Sequence, residues 1–454
     1  MKNKARSGKN ITDTFIESLY LMKDEGFSEK SLLEARKRLL DFLGTALAGN
    51  QILKNRAPQL YDPALIKTGA SLIGQRRKTD PGQAALINAM GSHITELDDG
   101  HRYGMIHLGA PIISAIIAAA QTEPLAKCDI LAGIISGYEA AVRLARALQP
   151  KHRNKGFHTT GTCGTVGAAL GVAFAFSYSI EQVKTTLSCA VSAAAGLLEL
   201  QEDASELKPF NAGRASLDGL KSAHIGKVGL KAPDDILGGK RGLFSVFADG
   251  KYEKDFLLGC ENTPEIEGVY SKLYSSCRHS HPAVEAALYI RDKNDINTKS
   301  IKKVIVRTYR VATQGHDHKM ALSVNSAKMS IPFSIALALV LGRAGISEFT
   351  EENIIRQDIK HLADRVAIVC DEELTAASPQ KRAAIVDIVL EDRRLIHRVD
   401  YPKGEPENPL SAEELREKFT SLALFAGKTK EEVEKLIEAV ERVEGDLPGL
   451  LELL

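Results

Sequence analysis

The stretch "ELDDGHRYGMIHLGAP", residues 96–111, places Glu96, Asp98, Asp99, His101 and His107 in a short run that leads directly into the apolar "PIISAIIAAA". Adjacent carboxylates repel one another, so burying them raises at least one pKa and suits the group to proton transfer. The same residues could ligate a hard cation. An exposed acidic turn capping a helix that begins near Pro111 is the alternative reading.

Three further clusters carry chemistry. In "KGFHTTGTCGTVGAA", His158 precedes Thr159 and a glycine-rich helix start, whose free N–H groups attract carboxylate or phosphate; Thr159 could equally be an N-cap. In "SELKPFNAGRASLDGL", Lys208 stands at a loop–helix junction, where a lysine grips a carboxylate or simply faces solvent. In "SKLYSSCRHSHPAVEAA", Lys272, Tyr274, Cys277, Arg278, His279 and His281 fall within ten residues. Such a density of cationic and proton-donating groups suits a small polyanion. Cys277 with His281 could also suggest a thiol nucleophile or a metal pair, without a diagnostic partner set. "QGHDHKM" holds His316 and His318 two residues apart with no third ligand nearby, and reads as a solvated loop.

The elements that must position these groups follow from periodicity. Residues 11 to about 265 read as almost wholly helical, with Ser28 as an N-cap and Gly44 and Gly49 near a helix end. Alanine- and glycine-rich segments such as "GTCGTVGAALGVAFAFSYS" predict central helices whose backbones approach closely. Near residue 266 the pattern changes. "KKVIVRTYR" (302–310) alternates as a half-buried strand, and "AAIVDIVLEDRRLIHRVDYP" reads as a hairpin around Glu391, Asp392 and Arg393. Helical segments lie between them, and helix returns after "YPKGEPENPLS". The expected architecture is mainly α: a large all-helical domain, 10–265 plus 406–454, with a smaller inserted α+β lid domain, 266–405.

Composition narrows the function classes. The chain has 454 residues, 44% hydrophobic and 26% charged, with a formal net charge of +1. Nothing favours nucleic acid or an anionic membrane. The basic "MKNKARSGKN" lacks an apolar core, so a disordered tail is expected rather than a secretory signal. The apolar runs are shorter than the ~20 residues a membrane-spanning helix needs. Cys128, Cys163, Cys189, Cys260, Cys277 and Cys370 are scattered with no CxxC pair, so no structural metal or disulfide framework is expected and a cytoplasmic location is. No phosphate-binding glycine motif is present.

Taken in order, these segments resemble the MmgE/PrpD family, and the resemblance spans nearly the whole chain. "HITELDDGH…IHLGAP", "GIISGYEAAVRLARAL", "GFHTTGTCGTVGAALGVA", "LKPFNAGRASLDGL", "KLYSSCRHSHPAVEAAL", "NSAKMSIPFSIALALVLGRAGISEFTEENI" and "GEPENPLSAEELREKF" carry it. The resemblance implies a helical domain with an α+β lid, a homodimer, and no cofactor or metal. It implies chemistry on a small di- or tricarboxylic acid, begun by removing a proton next to a carboxylate. A 2-methylcitrate dehydratase-like lyase leads. An iminodisuccinate-type epimerase, a cis-aconitate-type decarboxylase and a non-catalytic carboxylate-binding relative are the alternatives. The resemblance places the acidic positions on Glu96, Asp98 and Asp99. It places the histidines on His107, His158 and His281, and the carboxylate-facing lysines on Lys208 and Lys272. The expected catalytic set is therefore Asp98, His107, His158, Lys208, Lys272 and His281. Glu96, Asp99, Thr159, Tyr274, Cys277 and Arg278 are expected to bind substrate. Leu108 and Gly100 depart from the family pattern, and Cys277 stands where decarboxylase-like members have histidine.

Overall fold

The computed structural model describes residues 9–61, 69–75, 77–202, 205–259 and 263–454. Most of the expected basic tail, and Cys260, lie outside the described residues. The chain is mainly α-helical. None of the described helices is long and apolar enough to cross a membrane.

The helix Thr159–Ala175 is buried at every position and lies at the centre of the larger hydrophobic core. Its glycines explain how. A Cβ on Gly137 of the neighbouring Ile130–Leu148 helix would sit 2.8 Å from the Gly167 carbonyl oxygen, so only glycine permits that crossing. Ser28 is the N-cap expected, accepting from the Ser31 N–H at 3.1 Å. Gly44 and Gly49, expected near a helix end, instead lie inside the continuous helix Glu29–Arg56. The reason is packing rather than termination: a Cβ on Gly49 would fall 1.6 Å from the carbonyl oxygen of Gly91 on the Pro81–Ile94 helix.

The nearly all-helical reading of the first part needs two small corrections. Ala70–Leu72 and Arg77–Thr79 pair as a short antiparallel ribbon. Gly100–His101 pairs antiparallel with Val269–Tyr270, tying the acidic segment to the chain just before Lys272.

A second hydrophobic core spans residues 283–399. Its four-stranded sheet runs in the order Val366–Cys370, Lys303–Thr308, Ala384–Val389, Arg394–Val399. The first pair is parallel and the others antiparallel. Val304, Val306 and Thr308 are buried while Lys303 is exposed, matching the alternation of the sequence. The hairpin closes through Leu390–Arg393, with the Leu390 N–H donating to the Arg393 carbonyl at 2.9 Å. After this sheet the chain returns to the first core, where Leu410, Leu415, Phe419 and Leu450 are buried with residues of the N-terminal helices.

Candidate active site

Glu96 leaves the Pro81–Ile94 helix in the left-handed region, with φ 55°. A non-glycine residue there costs roughly 1–2 kcal/mol. The conformation carries the carboxylate between two lysines. Lys208, the first residue of the helix Lys208–Val228, is bonded to Oε1. Lys272, held by the strand pairing just before it, donates to Oε2 at 2.8 Å and stands 3.5 Å from Asp98 Oδ1. Burial pushes the Glu96 carboxyl up, but the two ammonium groups and His93 outweigh it and hold the group well below the usual carboxylate range. Burial likewise opposes the Lys272 charge, and Glu96 and Asp98 more than restore it.

Asp98 accepts from His93 Nδ1 at 2.6 Å and lies 3.3 Å from His107 Nδ1. Burial raises its pKa, but His107, His93 and Lys272 bring it well below the ordinary value. A carboxyl held in its charged form is a poor proton donor, so Asp98 acts as an acceptor. His107 Nδ1 also donates to the Asp99 carbonyl at 2.7 Å, which leaves Nε2 as the ring's unprotonated nitrogen. Burial lowers the His107 pKa despite Asp98, so the ring is neutral near pH 7.

His158 occupies the N-cap position of the Thr159–Ala175 helix, its backbone N–H donating to the Gly196 carbonyl at 3.0 Å. It is 5% exposed, and its Nδ1 is buried without a protein partner. Burial first, then His93, Lys208, His107 and Arg153, hold its pKa well below the usual histidine range. A neutral buried imidazole beside ammonium groups is suited to accept a proton.

Glu96, His107, His158, Lys208, Lys272, Cys277 and Arg278 together line a cavity of about 90 Å³. Residues far apart in the chain thus converge. Asp98 stands behind the lining, bonded to residues on it. A larger cavity of about 900 Å³ is lined by Arg102, Tyr103, Arg146 and Phe256 among others. Met105 borders both cavities. The titratable cluster surrounds the smaller one.

Besides Asp98, four expected site residues lie apart from that lining. Asp99 caps a helix: Oδ1 accepts the Leu108 and Gly109 N–H groups at 3.2 and 2.8 Å, and Oδ2 accepts from Tyr138 at 2.6 Å. That helix begins at Gly109, two residues before the expected Pro111. Thr159 Oγ1 accepts from Gln149 at 2.9 Å. His281 is fully buried, its Nε2 donating to the Ser276 carbonyl at 3.2 Å. Tyr274 packs edge-on against the His281 ring, centroids 5.2 Å apart. The His281 and Tyr274 contacts brace segment 271–280.

Sequence reasoning left other residues out of the site. His279 and His316 stand out in their own sequence clusters, whereas Arg153, Tyr270 and Arg382 line the cavity from segments with no local signal. His316, expected in a solvated loop, is partly buried with Nε2 3.8 Å from Cys277 Sγ. His318 instead donates to the Ser326 carbonyl at 3.0 Å. Arg278 is paired with Glu405, yet its Nη1 is buried without a partner. Neither Arg153 nor Arg382 is ion-paired among the described residues.

Two groupings could offer three ligand atoms to a metal, His93 with Asp98 and His107, and Cys277 with His279 and His316. In the first, a direct His93–Asp98 bond already uses the ligand atoms. The second faces Arg382, Arg153 and Arg278, which oppose a cation; burial first, then His316 and these arginines, hold His279 well below its ordinary pKa.

The MmgE/PrpD N-terminal domain model matches residues 22–255, and the MmgE/PrpD C-terminal domain model matches residues 274–442. The chain is 26% identical over 412 residues to a cis-aconitate decarboxylase of Aspergillus terreus, covering 84% of this chain and 83% of that one. It is 23% identical over 452 residues to the cis-aconitate decarboxylase of Homo sapiens, covering 96% and 93%.

Proposed function

Since the chain belongs to the MmgE/PrpD family, we propose that it is a lyase acting on a small di- or tricarboxylic acid, beginning with removal of a proton next to a carboxylate. The observation that carries this reading is the surplus of cationic donors around the small cavity. Arg153 has no ion-pair partner among the described residues, Arg382 donates to the Arg102 carbonyl at 2.7 Å but meets no carboxylate among them, and Arg278 Nη1 is unsatisfied. A polycarboxylate supplies the missing acceptors.

A carbon acid beside a carboxylate is very weak, and its enolate carries two negative charges on one group. Preorganised cations in a dry site stabilise such charge best. In this reading Lys208 and Lys272 hold the developing enolate, while Arg153, Arg278 and Arg382 anchor the remaining carboxylates. His158 is the base, neutral and positioned by its backbone bond to Gly196. Asp98 orients His107 rather than donating a proton. The α+β part acts as a lid, and the functional unit is a homodimer. No cofactor takes part.

Dehydration of a 2-methylcitrate-like hydroxy acid is the leading reaction. Decarboxylation is the second reading, favoured by the named activity of the relatives. Both pass through a carbanion stabilised by a neighbouring carboxylate, formed by proton removal in dehydration and by loss of CO₂ in decarboxylation. Purified protein supplied separately with 2-methylcitrate and cis-aconitate in D₂O, followed by NMR, tests the reading. Deuterium should enter next to a carboxylate, with alkene or CO₂ marking the partition. His158→Ala and Lys272→Ala should each lower turnover by about 100-fold or more. Full turnover in both variants overturns the role assignments, and a wild type inert toward both acids overturns the substrate class.

A further inference from the structure

The proposed reaction lacks an acid. His107 and His158 are neutral acceptors, and Asp98 is held as a carboxylate. A departing hydroxyl, or the carbanion left by CO₂, needs a proton from elsewhere. The part of the cavity lining contributed by the C-terminal part of the chain holds two side chains with no task in the mechanism above.

Cys277 Sγ and His316 Nε2 are 3.8 Å apart, within reach of a sulfur hydrogen bond, and both residues line the cavity with His158 and Lys208. Adjacent carbonyls of one segment position them. The Lys328 carbonyl accepts the Cys277 N–H at 2.8 Å, and the Met329 carbonyl accepts His316 Nδ1–H at 2.9 Å. The second contact fixes the proton on Nδ1 and directs Nε2 to the thiol, as the carboxylate does in hydrolytic triads. We propose that Cys277 and His316 share a proton at the cavity wall and are the acid of the reaction, resting on the lyase reading above.

The electrostatics agree with the geometry. Burial pushes the Cys277 thiol up, but His316 and Lys208 bring it to about 6, against Glu96. Burial lowers His316, yet Cys277 and the Met329 carbonyl raise it to about 9, against Lys208. Arg153 and Tyr309 also face Cys277. His279 lies beside His316, ring centroids 5.2 Å apart, with its Nδ1 bonded to Tyr309 Oη at 2.5 Å. The resting pair is thiolate and imidazolium, one mobile proton in all.

The step balances without a further reagent. His158 takes the proton from the carbon next to the carboxylate, and the electron pair enters the enolate held by Lys208 and Lys272. The C–O bond then breaks as the electrons return to form the alkene. The departing oxygen takes the pair's proton and leaves as water, and solvent carries the His158 proton back to the pair. In decarboxylation the C–C bond breaks, CO₂ leaves, the carbanion takes the same proton, and water resupplies it.

The test uses the full chain in two arms. Iodoacetamide labelling of Cys277, read by peptide mass spectrometry between pH 5 and 9, should be half-maximal near pH 6. In His316→Gln the rate at pH 6.5 should fall by at least about 10-fold, because the thiolate loses its counter-charge. An ordinary thiol profile in the wild type, or an unchanged one in His316→Gln, overturns the pair. Protection from labelling that a chelator removes and added zinc alone restores also overturns it, assigning the cluster with His279 to a metal.

In the second arm, Cys277→Ser and His316→Gln are given 2-methylcitrate and cis-aconitate in D₂O. Exchange next to the carboxylate should persist, since His158 remains, while net product falls by about 100-fold. Unchanged product formation, or loss of exchange together with product, overturns the acid assignment. A wild type that neither exchanges nor forms product overturns the lyase reading instead, and the labelling arm still decides whether the pair exists.

Discussion

The two parts of the small cavity's lining solve opposite electrostatic problems. The helical part, with Lys272, is nearly closed upon itself: Glu96 is shared by Lys208 and Lys272, and Asp98 by His93, His107 and Lys272. The C-terminal part is open: it presents Arg382, the unsatisfied Nη1 of Arg278 and the Cys277–His316 pair, with Arg153 from the helical part alongside. The paired lining supplies rigidity, since buried charges hold their places only when each has a partner. The open lining supplies affinity, since an anion entering it gains hydrogen bonds the protein does not already make. The contrast teaches that the most densely charged residues are not the freest to bind.

The largest expected effect tests the paired lining. Glu96→Ala leaves two buried ammonium groups facing each other and should cost about 3–5 kcal/mol of stability, read by urea denaturation. Loss of less than 1 kcal/mol would remove the distinction between the two linings. Arg153→Gln should do the reverse, changing stability by less than about 1 kcal/mol while weakening polycarboxylate binding by about 10–100-fold, read by calorimetric titration. Comparable stability losses in both variants would break the contrast.

His158 gives a smaller, pH-dependent effect. Its folded pKa lies well below 6.5 and its unfolded value near it, so below pH 6.5 the unfolded chain binds a proton the folded chain does not. Stability is therefore fully present above pH 6.5 and falls as pH drops. His158→Gln should flatten that fall by about 1.4 kcal/mol per pH unit, measured by denaturation at pH 5, 6 and 7. The smallest effect concerns Asp99. Asp99→Asn keeps an oxygen for the Gly109 N–H, so about 1 kcal/mol of stability should be lost with KM unchanged, as expected for a residue that holds a helix rather than a ligand.

Legibility in the sequence followed the range of the cause. The strand over Lys303–Thr308 and the Ser28 cap were readable because alternation and capping act over a few residues. Gly49 was misread as a helix end because the backbone it accommodates belongs to Gly91, and His316 was read as solvated because Cys277 lies 39 residues earlier. Asp99 and Asp98 are neighbours of the same chemical type, yet one caps a helix and the other meets two histidines.

The sequence by itself determined which groups were available: carboxylates, imidazoles and ammonium groups in separate clusters, and small residues where helices must cross. Local chemistry fixes these, since residue type and short-range periodicity need no tertiary context. The tertiary structure alone decided which clusters share a cavity, which charges are already neutralised, and which histidines remain neutral. Those properties depend on burial and on distances between chain segments far apart in sequence, and a pKa or an unsatisfied donor has no value until both are set.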